Sequence, residues 1–255
     1  MIELNQLTAG YGKKCVLDKI DASFETGKLI AVIGTNGCGK STLLKTVSGI
    51  LSPMGGEILV DNRPLSNLSP RQSAQRIAYL QQSTPTLDMT VEELVLQGRF
   101  PHLSFPHVYA QKDRTIAADA MNRLGLLPLA KRELSTLSGG MRQHAHIAMA
   151  LAQSADHILL DEPTTYLDIG NRLQLMRTLQ ALARDGKCVL TVLHDVSLAM
   201  EFADEIAVIE NGHLAAYGTP ESVFEKCLID RIFGVRLSRV ATQNGYSYYV
   251  SNQPC

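Results

Sequence analysis

The chain has 255 residues, with 24 Lys and Arg against 25 Asp and Glu and a formal charge of -1. That length can bury a sizeable core and suits one large α/β domain or a domain with an inserted unit, while the balanced charge offers no basic stripe to a nucleic acid. No tract approaches the roughly 18 consecutive apolar residues of a membrane span. The opening Met1-Ile2-Glu3-Leu4-Asn5 lacks the basic and apolar regions of a signal peptide, and Cys15, Cys38, Cys188, Cys227 and Cys255 show no C-x-x-C spacing. A cytosolic chain with reduced thiols is therefore expected.

Residues 2–33 read as short strands broken by turns, at 2–7, around Ala9-Gly10-Tyr11-Gly12, at 16–24 and in the apolar run 29–33. Tyr11 is expected to be exposed by its turn. Next comes Gly34-Thr35-Asn36-Gly37-Cys38-Gly39-Lys40-Ser41, a complete G-x-x-x-x-G-K-S phosphate loop where a strand gives way to the helical pattern that starts at Thr42. Its backbone N–H groups should close around phosphate oxygens at the positive helix end. Lys40 should reach the β- and γ-phosphates, and Ser41 should place its hydroxyl on Mg²⁺, a hard cation that takes oxygen ligands. Gly34, Asn36, Gly37, Cys38, Gly39, Lys40, Ser41 and Thr42 are the candidate nucleotide contacts.

A second β segment at 56–60 ends in Asp61-Asn62-Arg63-Pro64, and 77–80 reads as a buried strand before Gln81-Gln82. From 83 to about 134 the character changes to helices separated by prolines: Thr90-Val91-Glu92-Glu93 is a capping box, and Pro101 to Pro106 interrupts before the alanine-rich run 114–124. The α/β pattern then resumes as helix 139–152, strand 157–160, helix 169–183, strand 188–193 and helix 197–202. An Asn211-Gly212 hairpin joins 206–210 to 213–216, and Thr219-Pro220-Glu221 begins a final helix. Residues 240–255, with Tyr246, Tyr248 and Tyr249 in alternation, suit a small terminal strand pair of no assigned function. The expected organisation is a domain over 1–240, with core 1–82 and 153–240, a helical subdomain over about 83–152, and a tail at 241–255. Strands alternating with helices imply a mostly parallel sheet with ligands at the carboxyl ends of its strands.

At one such end, the apolar strand His157-Ile158-Leu159-Leu160 runs into Asp161-Glu162. Alternation should send the two carboxylates in different directions, Asp161 to hold Mg²⁺ through water and Glu162 to take a proton from the attacking water. Leu137-Ser138-Gly139-Gly140-Met141 is a second helix start with anion-binding chemistry. Two such ends need one nucleotide each, or one nucleotide shared between two chains.

Taken in order, residues 34–41, 137–141 and 161–162 resemble the ATP-binding cassette (ABC) ATPases, a resemblance that extends over roughly 2–233. It implies an α/β P-loop NTPase (RecA-like) core with an antiparallel β subdomain and an inserted helical subdomain, using ATP and Mg²⁺. It further implies that Tyr11 stacks on adenine, that Gln82 touches Mg²⁺, that Tyr166-Leu167-Asp168 crosses a dimer interface, and that His194 contacts the γ-phosphate. Lys40, Glu162 and His194 would be catalytic; Ser138, Gly139 and Gly140 of a second copy would complete the site head to tail.

One cassette without a fused membrane segment or long heptad insert favours a transporter subunit on the cytoplasmic face of the membrane, partnered by integral permease subunits and, indirectly, an extracytoplasmic binding protein. Soluble ABC ATPases acting on ribosomes or DNA are the alternative class, and an ABC importer or exporter subunit for another substrate is the other alternative. Residues 90–102 and 161–168 are similar to importers of iron-siderophore, haem or cobalamin complexes. Four residues depart from the usual signature helix: Met141, His144, His146 and Met149. Residues two apart on a helix do not face each other, so the two histidines do not suggest a metal site. Leu87, Met89, Phe100, Leu103 and Phe105 either form a permease docking surface or fill the core of the helical subdomain.

Overall fold

The computed structural model describes residues 1–82, 88–165, 167–242 and 245–251. The chain opens with the antiparallel pair β1 (Ile2–Tyr11) and β2 (Lys14–Phe24). Contrary to expectation there is no break after Leu7. Leu4 and Leu7 are an odd number of residues apart and would point to opposite faces of a regular strand, yet both are buried. The strand reconciles them with register shifts between Leu4 and Gly10, and Gln6 takes a φ of +49°.

β3 (Leu29–Ile33) follows, then α1 (Lys40–Val47), the β4 (Gly55–Val60) and β5 (Arg63–Pro64) hairpin, α2 (Pro70–Arg76) and β6 (Ile77–Leu80). Helix α2 is absent from the sequence reading. Its signal lies in Ser69-Pro70-Arg71-Gln72, where the Ser69 hydroxyl accepts from the Gln72 N–H, the Gln72 side chain accepts from the Ser69 N–H, and proline takes the first helical position.

Helices α3 (Val91–Gln97), α4 (Gln111–Arg123) and α5 (Gly139–Ala152) come next. Thr90 closes the expected capping box with Glu93. Met89 is partly buried against the core and Leu103 is buried, whereas Phe100 and Phe105 are 59% and 90% exposed, so the five residues do not form a single surface. Leu87 lies outside the described residues. The three helices are joined by a buried ion pair: Arg99 Nε meets Asp113 Oδ1 at 3.0 Å while its Nη1 donates to the carbonyl of Ala152 at 2.8 Å and to Ser154 Oγ at 3.0 Å.

The remainder is β7 (His157–Asp161), α6 (Ile169–Arg184), β8 (Cys188–Val192), α7 (Val196–Phe202), β9 (Glu205–Glu210), β10 (His213–Gly218), α8 (Pro220–Glu225), α9 (Leu228–Phe233), β11 (Arg236–Thr242) and β12 (Gly245–Ser251). The expected single final helix is two, broken where Cys227 takes a φ of +50°. The terminal pair starts at Arg236, so the 240/241 boundary drawn from sequence falls inside β11. Leu237 and Tyr248 bury against the core, and the Arg239 guanidinium lies 4.8 Å from the Phe224 ring centre and 4.2 Å from that of Tyr246.

The main sheet has the order β10-β9-β3-β8-β7-β6, parallel except for β10. All five residues of β3 are buried because both faces are covered. Leu29, Ala31 and Ile33 pack in the cluster that includes α5, α6 and α7, while Ile30 and Val32 pack with α1 and the four-stranded sheet β2-β1-β4-β5. The carboxyl ends of β3 and β7 thereby open side by side with β8 between them.

Candidate nucleotide site

β3 delivers the chain into the phosphate loop, and Lys40 begins α1 with no side-chain cap on its first turn. The first N–H groups of a helix have no intrahelical partner, so here they remain available to an anion. Gly34 must be glycine: at its φ of +155° an added Cβ would lie 2.2 Å from the Ile209 carbonyl oxygen and 2.7 Å from Cys38 Sγ. Lys40 is 5% exposed, and its Nζ donates to the carbonyls of Gly34 at 2.8 Å and Thr35 at 2.9 Å. Among the described residues no carboxylate pairs with it, so a buried ammonium rests on neutral acceptors beside an anion-binding helix end.

The two adjacent acids have separate partners. Asp161 Oδ1 accepts from Ser41 Oγ at 3.1 Å, and its Oδ2 accepts from the Tyr79 hydroxyl at 3.4 Å. Burial pushes the Asp161 carboxyl above the usual carboxylate range; the Ser41 hydrogen bond opposes this and the charge of Glu162 adds to it. Glu162 accepts a hydrogen bond from Gln82 Nε2 and pairs with His194 Nε2. Gln82 was expected on Mg²⁺ beside Asp161, but its amide is on Glu162. The side chains of Ser41 and Asp161 are hard oxygen donors within hydrogen-bond distance of each other, a set that fits Mg²⁺ shared with nucleotide phosphates.

An open cleft of about 150 Å³ is lined by Val16, Asn36, Gly37, Gly39, Lys40, Ser41, Thr42 and Glu162. Val16, on β2, escaped the sequence reading because an apolar strand residue carries no chemical signal. Cys38 does not line the cleft: its side chain is buried, with Sγ against Gly34, and burial pushes its thiol up. Tyr11, half exposed at the end of β1, is likewise not part of this lining.

Ser138, Gly139, Gly140 and Asp168 also stand outside it. Ser138 caps α5, its Oγ accepting from the Met141 N–H at 3.3 Å, and Asp168 caps α6, accepting from the Asn171 N–H at 2.8 Å. Gln143 Nε2 donates to the Pro163 carbonyl at 3.3 Å, joining α5 to the residue after Glu162. His144 and His146 are buried, and burial lowers the pKa of both imidazoles. Tyr166 lies outside the described residues.

Residues 17–165, more than half of the chain, match the family model described as ABC transporter. The chain belongs to the ABC transporter family. Among ABC proteins it is 40% identical over 233 residues to the ferric enterobactin transport ATP-binding protein FepC of Escherichia coli (strain K12), covering 91% of this chain and 86% of that one. Its structure resembles that of a metal-chelate type ABC transporter in an inward-facing conformation, with a TM-score of 0.84, 26% identity and coverage of 98% and 96% of the two chains. It also resembles the dimeric post-hydrolysis state of the ATP-binding cassette MJ0796 bound to ADP and Pi, with a TM-score of 0.75, 26% identity and coverage of 86% and 99%. The chain is accordingly an ABC ATPase that couples hydrolysis to transport. Among the described residues no helix is long and apolar enough to cross a membrane.

Proposed function

We propose that this chain is the ATP-hydrolysing subunit of an importer for an iron-siderophore complex, acting as a head-to-tail pair of copies on the cytoplasmic face of a separate permease. The observation that carries the reading is the set around Glu162, where Gln82 and His194 hold one acid while Ser41 and Tyr79 hold its neighbour Asp161. In this reading Glu162 orients and deprotonates the attacking water, His194 steadies Glu162 and meets the γ-phosphate, and Lys40 exchanges its two carbonyls for phosphate oxygens. Ser41 and Asp161 hold Mg²⁺, which supplies charge neutralisation to the phosphates when bound. Tyr11 stacks on the base, and Ser138, Gly139, Gly140 and Asp168 complete the site of the second copy. The Gln82 amide, bound to Glu162 here, would reach Mg²⁺ only after leaving that acid.

The name of FepC supports a siderophore cargo. An extracytoplasmic binding protein would deliver it. The exposed Phe100, Phe105 and Val108 offer an apolar patch to the permease. The test is reconstitution with the permease and binding protein in liposomes. Ferric enterobactin should stimulate ATP hydrolysis severalfold, and stimulation by haem or cobalamin alone would overturn the assignment of cargo.

A further inference from the structure

The turn Asn211-Gly212 reads from sequence only as a link between two strands. In the structure its backbone reaches the phosphate loop. Both residues have positive φ, +49° and +82°, as a two-residue hairpin turn requires. The Gly212 N–H donates to the Cys38 carbonyl at 3.1 Å, and the Gly212 carbonyl accepts from the Asp18 N–H of β2 at 2.9 Å. Gly212 is buried, and an added Cβ would stand 2.3 Å from the Val16 carbonyl oxygen. Three residues before Gly212, the Ile209 carbonyl is the atom that excludes a side chain from Gly34. The hairpin therefore touches the phosphate loop at both its first glycine and its middle.

We infer that Gly212 is a positioning residue for nucleotide binding, a strut that aims the amide of Gly39 into the phosphate cradle. A trans peptide is planar, with its N–H and the preceding C=O antiparallel. Fixing the Cys38 carbonyl on the Gly212 N–H sends the Gly39 N–H the opposite way, toward the cleft that Gly39 lines. A free loop would lose freedom on closing around phosphate, and the strut fixes that peptide plane beforehand. Any side chain at 212 meets Val16, so the turn must move outward and release Cys38.

This inference rests on the reading of residues 34–42 as a nucleotide site. The experiment compares wild type, Gly212→Ala and Gly186→Ala for binding of Mg²⁺ and N-methylanthraniloyl ATP by fluorescence titration, with Tm measured on each. Gly186 is the control because its φ is +89° yet an added Cβ meets nothing within 4 Å, so both variants carry the left-handed penalty and only one disturbs the loop. Gly212→Ala should bind at least about fivefold more weakly, the weight of one neutral hydrogen bond, while Gly186→Ala stays within twofold of wild type. Equal affinities for the two variants would overturn the strut but leave the nucleotide site standing, whereas a wild type that binds no nucleotide would overturn both. Should Gly212→Ala fail to fold, linkage gives a second readout on wild type: if the strut favours ATP, ATP must favour the strut. Hydrogen exchange at the Gly212 amide should slow on adding Mg-ATP, and an unchanged rate would refute the inference.

Discussion

Replacing Glu162 by glutamine tests the centre of the proposed mechanism with little change of shape. The side chain is 8% exposed as part of its residue and sits between Gln82 Nε2 and His194 Nε2. A glutamine in the same place still accepts from Gln82 through its oxygen, and its amide nitrogen can donate to a neutral His194 ring, so the surroundings need not rearrange. What disappears is the ability to take a proton. General-base catalysis contributes roughly 10²- to 10⁴-fold, which at about 1.36 kcal/mol per decade is about 3 to 5 kcal/mol of barrier. Phosphate release under saturating Mg-ATP should therefore fall by at least about 100-fold. The Kd for N-methylanthraniloyl ATP should change less than about threefold, because the phosphate loop is untouched. Hydrolysis at the parent rate would show that Glu162 is not the base. A parallel loss of affinity and rate would show that it acts by holding the loop instead.

Three further outcomes are expected. Arg99→Ala leaves Asp113 buried without its cation and strips the Ala152 carbonyl of its donor, so urea unfolding should show a loss of about 3 to 5 kcal/mol, and a loss under about 1 kcal/mol would refute the burial argument. Burial acts to raise the Asp113 carboxyl, but the hydrogen bonds from Arg99 and the Ala110 N–H outweigh it and hold the group below its ordinary value. That stability is full above the unfolded pKa of about 3.9 and is lost as pH falls through the lower folded value, so the gap between parent and variant should close on acidification. Cys38, buried and with its thiol pushed up, should react with maleimide at neutral pH more slowly than the exposed Cys15; labelling of both thiols at one rate would refute the burial of Cys38. Phe105→Asp, at a residue 90% exposed, should keep basal ATP hydrolysis within about twofold while losing association with the permease, and retained association would remove Phe105 from the docking surface.

Much of the fold is legible because its signals are local. Five apolar residues before a glycine-rich turn specify β3, and Thr90 with Glu93 specifies the start of α3. The failures were also local in form but had distant causes. Nothing near Asn5-Gln6 announces a bulge; it follows from the need to bury Leu4 and Leu7 against the same core. Helix α2 is seven residues long, too short for an amphipathic pattern, and only its cap betrays it. In the site, residue identities were readable and partnerships were not. Gln82 meets Glu162 across 80 positions and Tyr79 meets Asp161 across 82, through the adjacency of β6 and β7 in the sheet. The same adjacency gives Asp161 and Glu162 different partners, whereas Cys38, which sits inside the motif, stays out of the cleft because its sulfur packs against Gly34.

These partnerships bear on how the two halves of the proposed head-to-tail site would communicate. Within the chain, the cleft takes its amides from the start of α1, while the start of α5 stands outside it. In the head-to-tail pair proposed above, the α5 start of each copy would close on the nucleotide of the other, and the Gln143 bond to the Pro163 carbonyl then acquires a role. It ties the helix that would feel the partner's nucleotide to the residue next to Glu162. Nucleotide capture in one half could thus bear on the base of the other half through a single hydrogen bond and the short segment behind it. Gln143→Leu separates the possibilities, since it removes the bond while leaving Ser138 and Glu162 in place. If that link carries the coupling, the variant should retain hydrolysis but lose cooperativity in ATP concentration, its Hill coefficient falling toward one. An unchanged Hill coefficient would mean that the two halves communicate by another route.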